Sequence, residues 1–207
     1  MAQLASKPQG METRFGRAAR ALDFTAREME MFAGSLLGDA TLLETSSGYC
    51  FRVHHGLSQR YFVDWKHRAF QRFVRTPPRI SGKGYYFRTV THPGFSVLRR
   101  AFYHGNRKVV PIDYLDRHLG GLGLAIWIMD DGAADGGQLR INTPSFTVAE
   151  NQALAALLER KFGLKMTLNY DKGRPRLRCR AMSMKSLVGT VREHVLPEMH
   201  YKLSPIA

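Results

Sequence analysis

The sequence predicts an α+β protein made of two pseudo-symmetric halves. Three observations carry this. The same order of apolar helix, alternating strand and capped helix occurs twice along the chain. Each half opens on an apolar helix that ends in an acid followed by a small residue, at Asp39-Ala40 and at Asp131-Gly132. A lysine follows each acid at nearly the same distance, 69 residues from Asp39 to Lys108 and 71 from Asp131 to Lys202. The organisation read from this is a flexible tail over residues 1–22, one half over 23–105, a linker over 106–120 and a second half over 121–207.

The first half begins at Thr25-Ala-Arg-Glu28, whose spacing fits a capping box, so a helix is expected through Met29, Phe32, Ala33, Leu36 and Leu37. A strand follows near Tyr49–His54, then a helix from about Ser58 to Val74 that ends before Pro77-Pro78. Strands near Arg79–Ser81 and Tyr85–Val90 join through Gly82-Lys83-Gly84, and a short helix around Phe95–Tyr103 closes the half. The second half repeats this order. Its helix covers about Leu122–Asp130, with a strand at Gln138–Asn142 after it. Thr147-Val-Ala-Glu150 opens a helix to about Phe162, and strands near Lys165–Tyr170 and Arg174–Arg180 form a hairpin through Asp171-Lys172-Gly173. A last helix is expected over about Met182–Val195. Both halves thus read α-β-α-β-β-α.

The charge is far from balanced: 31 Lys and Arg against 17 Asp and Glu give a net +14. Such an excess points to a polyanionic partner. It is also patterned. Alternate residues of a strand share a face, so Arg174, Arg176, Arg178 and Arg180 line one side and Pro175, Leu177 and Cys179 the other. Lys165, Thr167 and Asn169 share a face of the partner strand, and Gln138, Arg140 and Asn142 a face of the third, with Lys172 in the turn. Arginines at roughly 7 Å intervals repel one another unless an anion neutralises them. Arg, Asn and Gln are the side chains that read base edges, and a two-stranded ribbon fits a major groove. In the first half Arg52, His54, Arg79, Lys83 and Arg88 are the candidates, although Tyr85-Tyr86-Phe87 hides the alternation.

Other classes are disfavoured. Two cysteines, Cys50 and Cys179, form no CxxC pair and no disulfide framework. No apolar run is long enough for a membrane span, and the Arg-bearing first residues have no apolar signal core. An intracellular setting fits, in a bacterial cytoplasm or an organelle. His54-His55 near Cys50 lacks the spaced ligand pairs of a zinc site, and no Walker A or dinucleotide fingerprint occurs.

The segments Phe32-Ala-Gly-Ser-Leu-Leu-Gly-Asp39-Ala40 and Leu124-Ala-Ile-Trp-Ile-Met-Asp-Asp131-Gly132 superpose residue for residue. Gly34 and Gly38 lie on one helix face, where missing side chains let a second helix approach closely. Two such helices side by side would bring Asp39 and Asp131 together. Carboxylates at helix C-termini oppose the dipole, and two repel each other. Divalent cations resolve both problems, and Mg²⁺ suits carboxylate and water ligands.

These segments resemble the paired motifs of the LAGLIDADG homing endonucleases, in the form that carries both motifs in one polypeptide. The resemblance spans about Thr25 to Pro205, and the closing Met199-His-Tyr-Lys-Leu-Ser-Pro205 is similar to the yeast mitochondrial intron-encoded member. It implies αββαββα halves, saddle-shaped antiparallel sheets over double-stranded DNA, and motif helices that are both interface and active site. It implies metal ions at Asp39 and Asp131, with Ala40 and Asp130 as further candidates, and assisting lysines at Lys108 and Lys202. Mg²⁺ would be the working ion, with Ca²⁺ or Mn²⁺ able to substitute, and the enzyme a monomer. The alternative within the same fold is an RNA-binding splicing factor acting on intron RNA. Departures from the family pattern are Ser35 and Ala40 in the first motif and Ile126 and Trp127 in the second. The Trp127 ring predicts an asymmetric helix interface.

Overall fold

The computed structural model describes residues 13–203. Two αββαββα units follow one another. The first is α2 (Ala26–Leu37), β1 (Thr41–Thr45), β2 (Gly48–Gly56), α3 (Arg60–Ala69), β3 (Arg79–Ser81), β4 (Gly84–Arg88) and α4 (Pro93–Phe102). The second is α6 (Gly121–Asp131), β7 (Gly132–Asp135), β8 (Gln138–Asn142), α7 (Val148–Phe162), β9 (Met166–Asp171), β10 (Arg174–Cys179) and α8 (Met184–Val191). Each unit forms an open, antiparallel four-stranded sheet, ordered β1-β2-β4-β3 and β7-β8-β10-β9. The α+β class and the pseudo-symmetry read from the sequence therefore hold.

Both expected capping boxes are present. Thr25 Oγ1 accepts the Glu28 amide at 3.2 Å while Glu28 Oε2 accepts the Thr25 amide at 2.8 Å, and Thr147 and Glu150 repeat the exchange. The residue-by-residue reading missed β1 and β7, the first strand of each half. Gly132-Ala-Ala-Asp135 has almost no strand propensity of its own and is held by its pairing with β8. The expected helix over Ser58–Val74 is broken into a 3₁₀ turn, α3 and a second 3₁₀ turn at Gln71–Phe73. The last helix is likewise divided, and a further 3₁₀ segment, Pro197–Lys202, carries Lys202 back towards α6.

Two expectations about connecting segments are corrected. The linker over 106–120 contains half of a short hairpin, β5 (Tyr103–His104) with β6 (Arg107–Lys108), and the helix α5 (Ile112–His118), whose Tyr114 and Leu115 are buried. The tail over 1–22 contains the helix α1 (Arg14–Arg20), capped by Thr13. Its Arg20 bonds Thr91, and the carbonyl of Leu22 lies 2.9 Å from His92 Nε2. Residues 1–12 of that tail, and Pro205 of the repeated ending, lie outside the described residues.

The inner faces of the sheets carry helices and the core. In the first half the core is aromatic: Phe24, Phe32, Phe51, Phe70, Phe73 and Phe95 interlock, with Phe32 stacked on Phe70 at 4.7 Å between centroids. In the second it is aliphatic, from Leu139, Ile141, Leu154, Leu157, Leu177 and Leu187. Between the halves α2 and α6 pack directly on each other. A Cβ on Gly34 would fall inside the carbonyl of Gly123, and one on Gly38 inside the carboxylate of Asp130. The close approach anticipated from Gly34 and Gly38 is thus real. The contact is asymmetric, since the position equivalent to Gly38 in the second motif is Asp130. Trp127 is wholly buried.

Gly34→Val should therefore lower the urea midpoint, by a stability loss of about 1–3 kcal/mol or more. Gly189→Ala in α8, where a Cβ meets nothing within 4 Å, should raise stability by about 0.4–1 kcal/mol. Chemical denaturation followed by circular dichroism measures both.

Candidate active site and nucleic-acid interface

The C-terminal ends of α2 and α6 bring three carboxylates together. Asp39 follows the α2 C-cap and is half exposed, with 48% of its side chain accessible. Asp131 is the last residue of α6. Burial pushes its carboxyl up to about 7, and the neighbouring Asp39 and Asp130 charges push in the same direction. Asp130 is turned inward with no side-chain exposure.

Three lysines answer these acids. Lys66, fully buried on α3, places Nζ 2.9 and 3.1 Å from the two oxygens of Asp130. Lys108 donates to the carbonyl of Gly38 at 2.5 Å, at the end of α2. Lys202 donates to the carbonyls of Ile128, Met129 and Asp130, at the end of α6. Each of the last two thus caps the motif helix of its own half, supplying positive charge where the dipole is negative. This explains the matching spacings: the chain returns to its own helix end after one αββαββα unit. Burial lowers the pKa of Lys108 and of Lys202, and Asp130, Asp131 and Asp39 oppose that shift in both.

His55 completes the cluster. Its Nδ1 lies 3.5 Å from Asp39 Oδ2 and its Nε2 3.6 Å from Asp130 Oδ1. Burial, and then the Lys66 charge, push the imidazole down to about 3, so it is neutral at working pH. One ligand atom each from Asp39, His55 and Asp130 falls within 4.8 Å of the others, a spacing that a cation could bridge. The Lys66 ammonium already occupies that role for Asp130, and the Asp39 amide donates to Asp130 Oδ2 at 3.2 Å. Asp130 is therefore both the partner of Lys66 and one of the three groups whose spacing could hold a cation. The chemistry of Asp39 and Asp131 also fits a hard divalent cation: one exposed carboxylate beside one whose ionisation is suppressed by burial and then by its acidic neighbours. Ala40 is buried, and its amide is spent on the carbonyl of Ser35.

Sequence reasoning missed Lys66 and His55. The signal for Lys66 was its place on the buried stripe of α3 with Phe62 and Val63. For His55 it was the alternation Phe51, Val53, His55 on the core side of β2.

The registers resolve the basic faces. In the first sheet Arg52 pairs with Arg88, His54 with Tyr86 and Tyr86 with Arg79, so all of these face outward, while Tyr85 and Phe87 point to the core. Lys83 sits in the turn, and Asp39, His54, His55 and Lys83 line one open cleft. In the second sheet Arg140 pairs with Arg178 and Asn142 with Arg176, and across the hairpin Thr167, Asn169 and Asp171 oppose Arg178, Arg176 and Arg174. Lys172 is in the turn, and Lys165 and Arg180 lie just beyond the strand ends, joined by a backbone bond of 2.9 Å. The arginine array is partly neutralised within the chain: Arg176 pairs with Asp171 at 2.7 Å, and Arg178 lies 3.7 Å from Asp135. Asn142 donates its side-chain amide to the carbonyl of Asp131 at 3.1 Å, tying the sheet to the active helix rather than standing free. Arg52 facing Arg88 and Arg140 facing Arg178 are equivalent like-charge pairs in the two halves, and the Nε atoms of Arg52, Arg140 and Arg178 meet no acceptor among the described residues.

Two acid-tipped helices in close contact beneath two open sheets define a single-chain, two-motif nuclease architecture. The sequence profile of the LAGLIDADG DNA endonuclease family matches residues 29–187, and the chain belongs to that family. It is 30% identical over 197 residues to the cytochrome b mRNA maturase bI2 of Debaryomyces hansenii, covering 84% of this chain and 72% of that protein. It is 32% identical over 163 residues to the intron-encoded endonuclease ai4 of Dictyostelium discoideum, covering 76% of this chain and 93% of the other. Its fold matches the homing endonuclease I-WcaI, solved on its DNA recognition sequence, with a TM-score of 0.83, 20% identity and 95% of each chain covered.

Two outcomes test this electrostatic account. Lys66→Met leaves Asp130 buried without its partner and should cost about 3–5 kcal/mol, whereas Lys66→Met with Asp130→Leu should recover most of it in a double-mutant cycle. A carboxyl whose folded pKa is raised costs the fold stability as pH rises from its ordinary value through about 7. In EDTA, Asp131→Asn should therefore gain on the wild type between pH 4 and pH 8, by on the order of 1 kcal/mol or more in urea melts.

Proposed function

We propose that this chain is a site-specific double-strand DNA endonuclease that acts as a monomer, with Asp39 and Asp131 as its metal-holding acids. The observation that supports this best is the juxtaposition of those acids with Lys108 and Lys202 at the ends of two helices packed through glycine. Each acid lies just before the first strand of its sheet, so a duplex lying across both basic outer surfaces would bring one strand near each acid.

A divalent cation held there, Mg²⁺ in this reading, would lower the pKa of a bound water so that hydroxide could attack phosphorus, and would offer positive charge to the leaving oxygen. Every other part belongs to the chain. Asp39 and Asp131 hold the charge in place. Lys108 and Lys202, fixed by helix carbonyls, keep an ammonium near each reacting phosphate and stabilise the charge that builds in the transition state. Lys66 pins Asp130, and through the Asp39 amide it fixes the path of the backbone beside the first acid. The neutral His55 ring lies 3.5 Å from Asp39 and adds no positive charge there. The outer-face arginines bind phosphates and read bases, with Arg52, Arg88, Arg140 and Arg178 in equivalent places in the two halves.

A second reading, an RNA-binding splicing factor, is favoured by the maturase relative that covers 84% of the chain. The acid and lysine cluster argues for the nuclease, since binding RNA needs neither Asp39 nor Asp131. Incubating the protein with a plasmid library of random sites and Mg²⁺, then sequencing the ends, separates the two. Recurrent double-strand ends at one sequence are expected. Asp39→Asn and Asp131→Asn should each lower the single-turnover rate by at least about 10³-fold while leaving DNA affinity within a few fold. Full-rate cutting by either variant contradicts the assignment, and tight binding to a structured intron RNA without cutting supports the splicing reading.

A further inference from the structure

The segment before the first motif is more ordered than a tail needs to be. Phe24 inserts among Phe32, Phe73, His92 and Phe95. Arg72 holds the Asp23 carbonyl and pairs with Glu28, and Arg20 bonds both the carbonyl and the hydroxyl of Thr91. These anchors fix α1 over the first sheet at its outer end. One cleft there is walled by Thr13 and Gly16 of the α1 segment, by Thr45–Ser47 of the β1–β2 turn, and by Arg79, Tyr86 and Arg88. Cys50 lies in the same wall, which accounts for an outward-parity strand residue that is nonetheless buried.

The β1–β2 turn is the end of the sheet remote from Asp39, because β1 starts just after Asp39 and runs away from it. Helix α1 thus prolongs the outward basic face, not the core. Its buried side is Gly16 and Ala19, while Arg14 and Arg17, one helical turn apart, are exposed. No acidic partner meets either of them among the described residues. Arg75, Arg79 and Arg88 are exposed and line the cleft that Thr13 and Gly16 of the α1 segment also line. These five arginines, with no acidic partner among the described residues, put like charge at one end of the first half, on and around a helix that is anchored before any ligand arrives.

Among the described residues the second half has no such device. Its pre-motif helix, α5, packs against α2, where the Tyr114 hydroxyl bonds the Met29 carbonyl at 3.1 Å. Its outer reach comes instead from a longer hairpin, six residues in each of β9 and β10 against three in β3 and five in β4.

We propose that α1, with Arg75, Arg79 and Arg88, is a phosphate clamp that grips duplex DNA at the outer end of one half of the target, so that the footprint is extended on that side by a helix. This rests on the DNA-binding reading above. The preorganised arginines bind with little ordering cost, and they contribute affinity without base specificity.

The test uses the full chain in EDTA with a duplex of about 40 bp and scrambled sequence, measuring affinity across a salt series. Arg14→Gln with Arg17→Gln should reduce the slope of log affinity against log salt by about two. A charge-matched control on α8 and its C-cap, Lys185→Gln with Arg192→Gln, should leave the slope within about half a unit of wild type. Equal slopes for the two double variants overturn the clamp while leaving the DNA-binding reading intact. A wild type that does not bind the duplex overturns both. A hairpin RNA of similar length runs in parallel; a slope change confined to the RNA overturns the assignment to duplex DNA.

Discussion

The contact between α2 and α6 sets the terms for everything around it. Two helices approach this closely only where a side chain is missing, at Gly34 against the Gly123 backbone and at Gly38 against the Asp130 side chain. That approach forces Asp39, Asp130 and Asp131 into one small volume at helix C-termini, where both mutual repulsion and the helix dipoles disfavour them. The fold answers with lysines from three different elements. Lys66 arrives from α3, Lys108 from the β5–β6 hairpin and Lys202 from the closing 3₁₀ segment. The elements that look peripheral in the sequence are therefore the ones that make the centre tolerable.

The three acids end up in different states, and this divides their labour. Asp130 has a full partner and no exposure, so it behaves as part of the framework. Asp39 is open to the cleft. Asp131 is partly buried beside Asp39 and Asp130, and its carboxyl is held up near neutrality. The pseudo-twofold axis thus relates positions more faithfully than environments. The lysine pair Lys108 and Lys202 obeys it, while Lys66 and His55 belong to the first half alone.

Much of this was legible in the sequence because it depends on local patterns. The capping boxes at Thr25 and Thr147, the Gly34/Gly38 face, the alternating arginines of β10 and the repeated acid-to-lysine spacing all survive in the structure. What was not legible depends on partners far away in the chain. The strand β7 is made of Gly and Ala and exists through β8. The ordering of α1 comes from Arg72, Thr91 and an aromatic cluster brought together by the fold. Asn142 reads as a base reader on its strand, and the fold adds that its amide also donates to the carbonyl of Asp131. Lys66 was hidden because a charged residue on an apolar stripe has no meaning until its acid is located.

The central claim is that Lys66 reserves Asp130 for the framework and leaves Asp39 and Asp131 for the metal. Anomalous scattering from Mn²⁺ in crystals of the protein on a duplex containing its target tests this directly. The account predicts Mn²⁺ peaks bonded to the carboxylates of Asp39 and Asp131, with the Lys66–Asp130 pair intact. A Mn²⁺ peak held by Asp130 and His55, with Lys66 displaced, would contradict it.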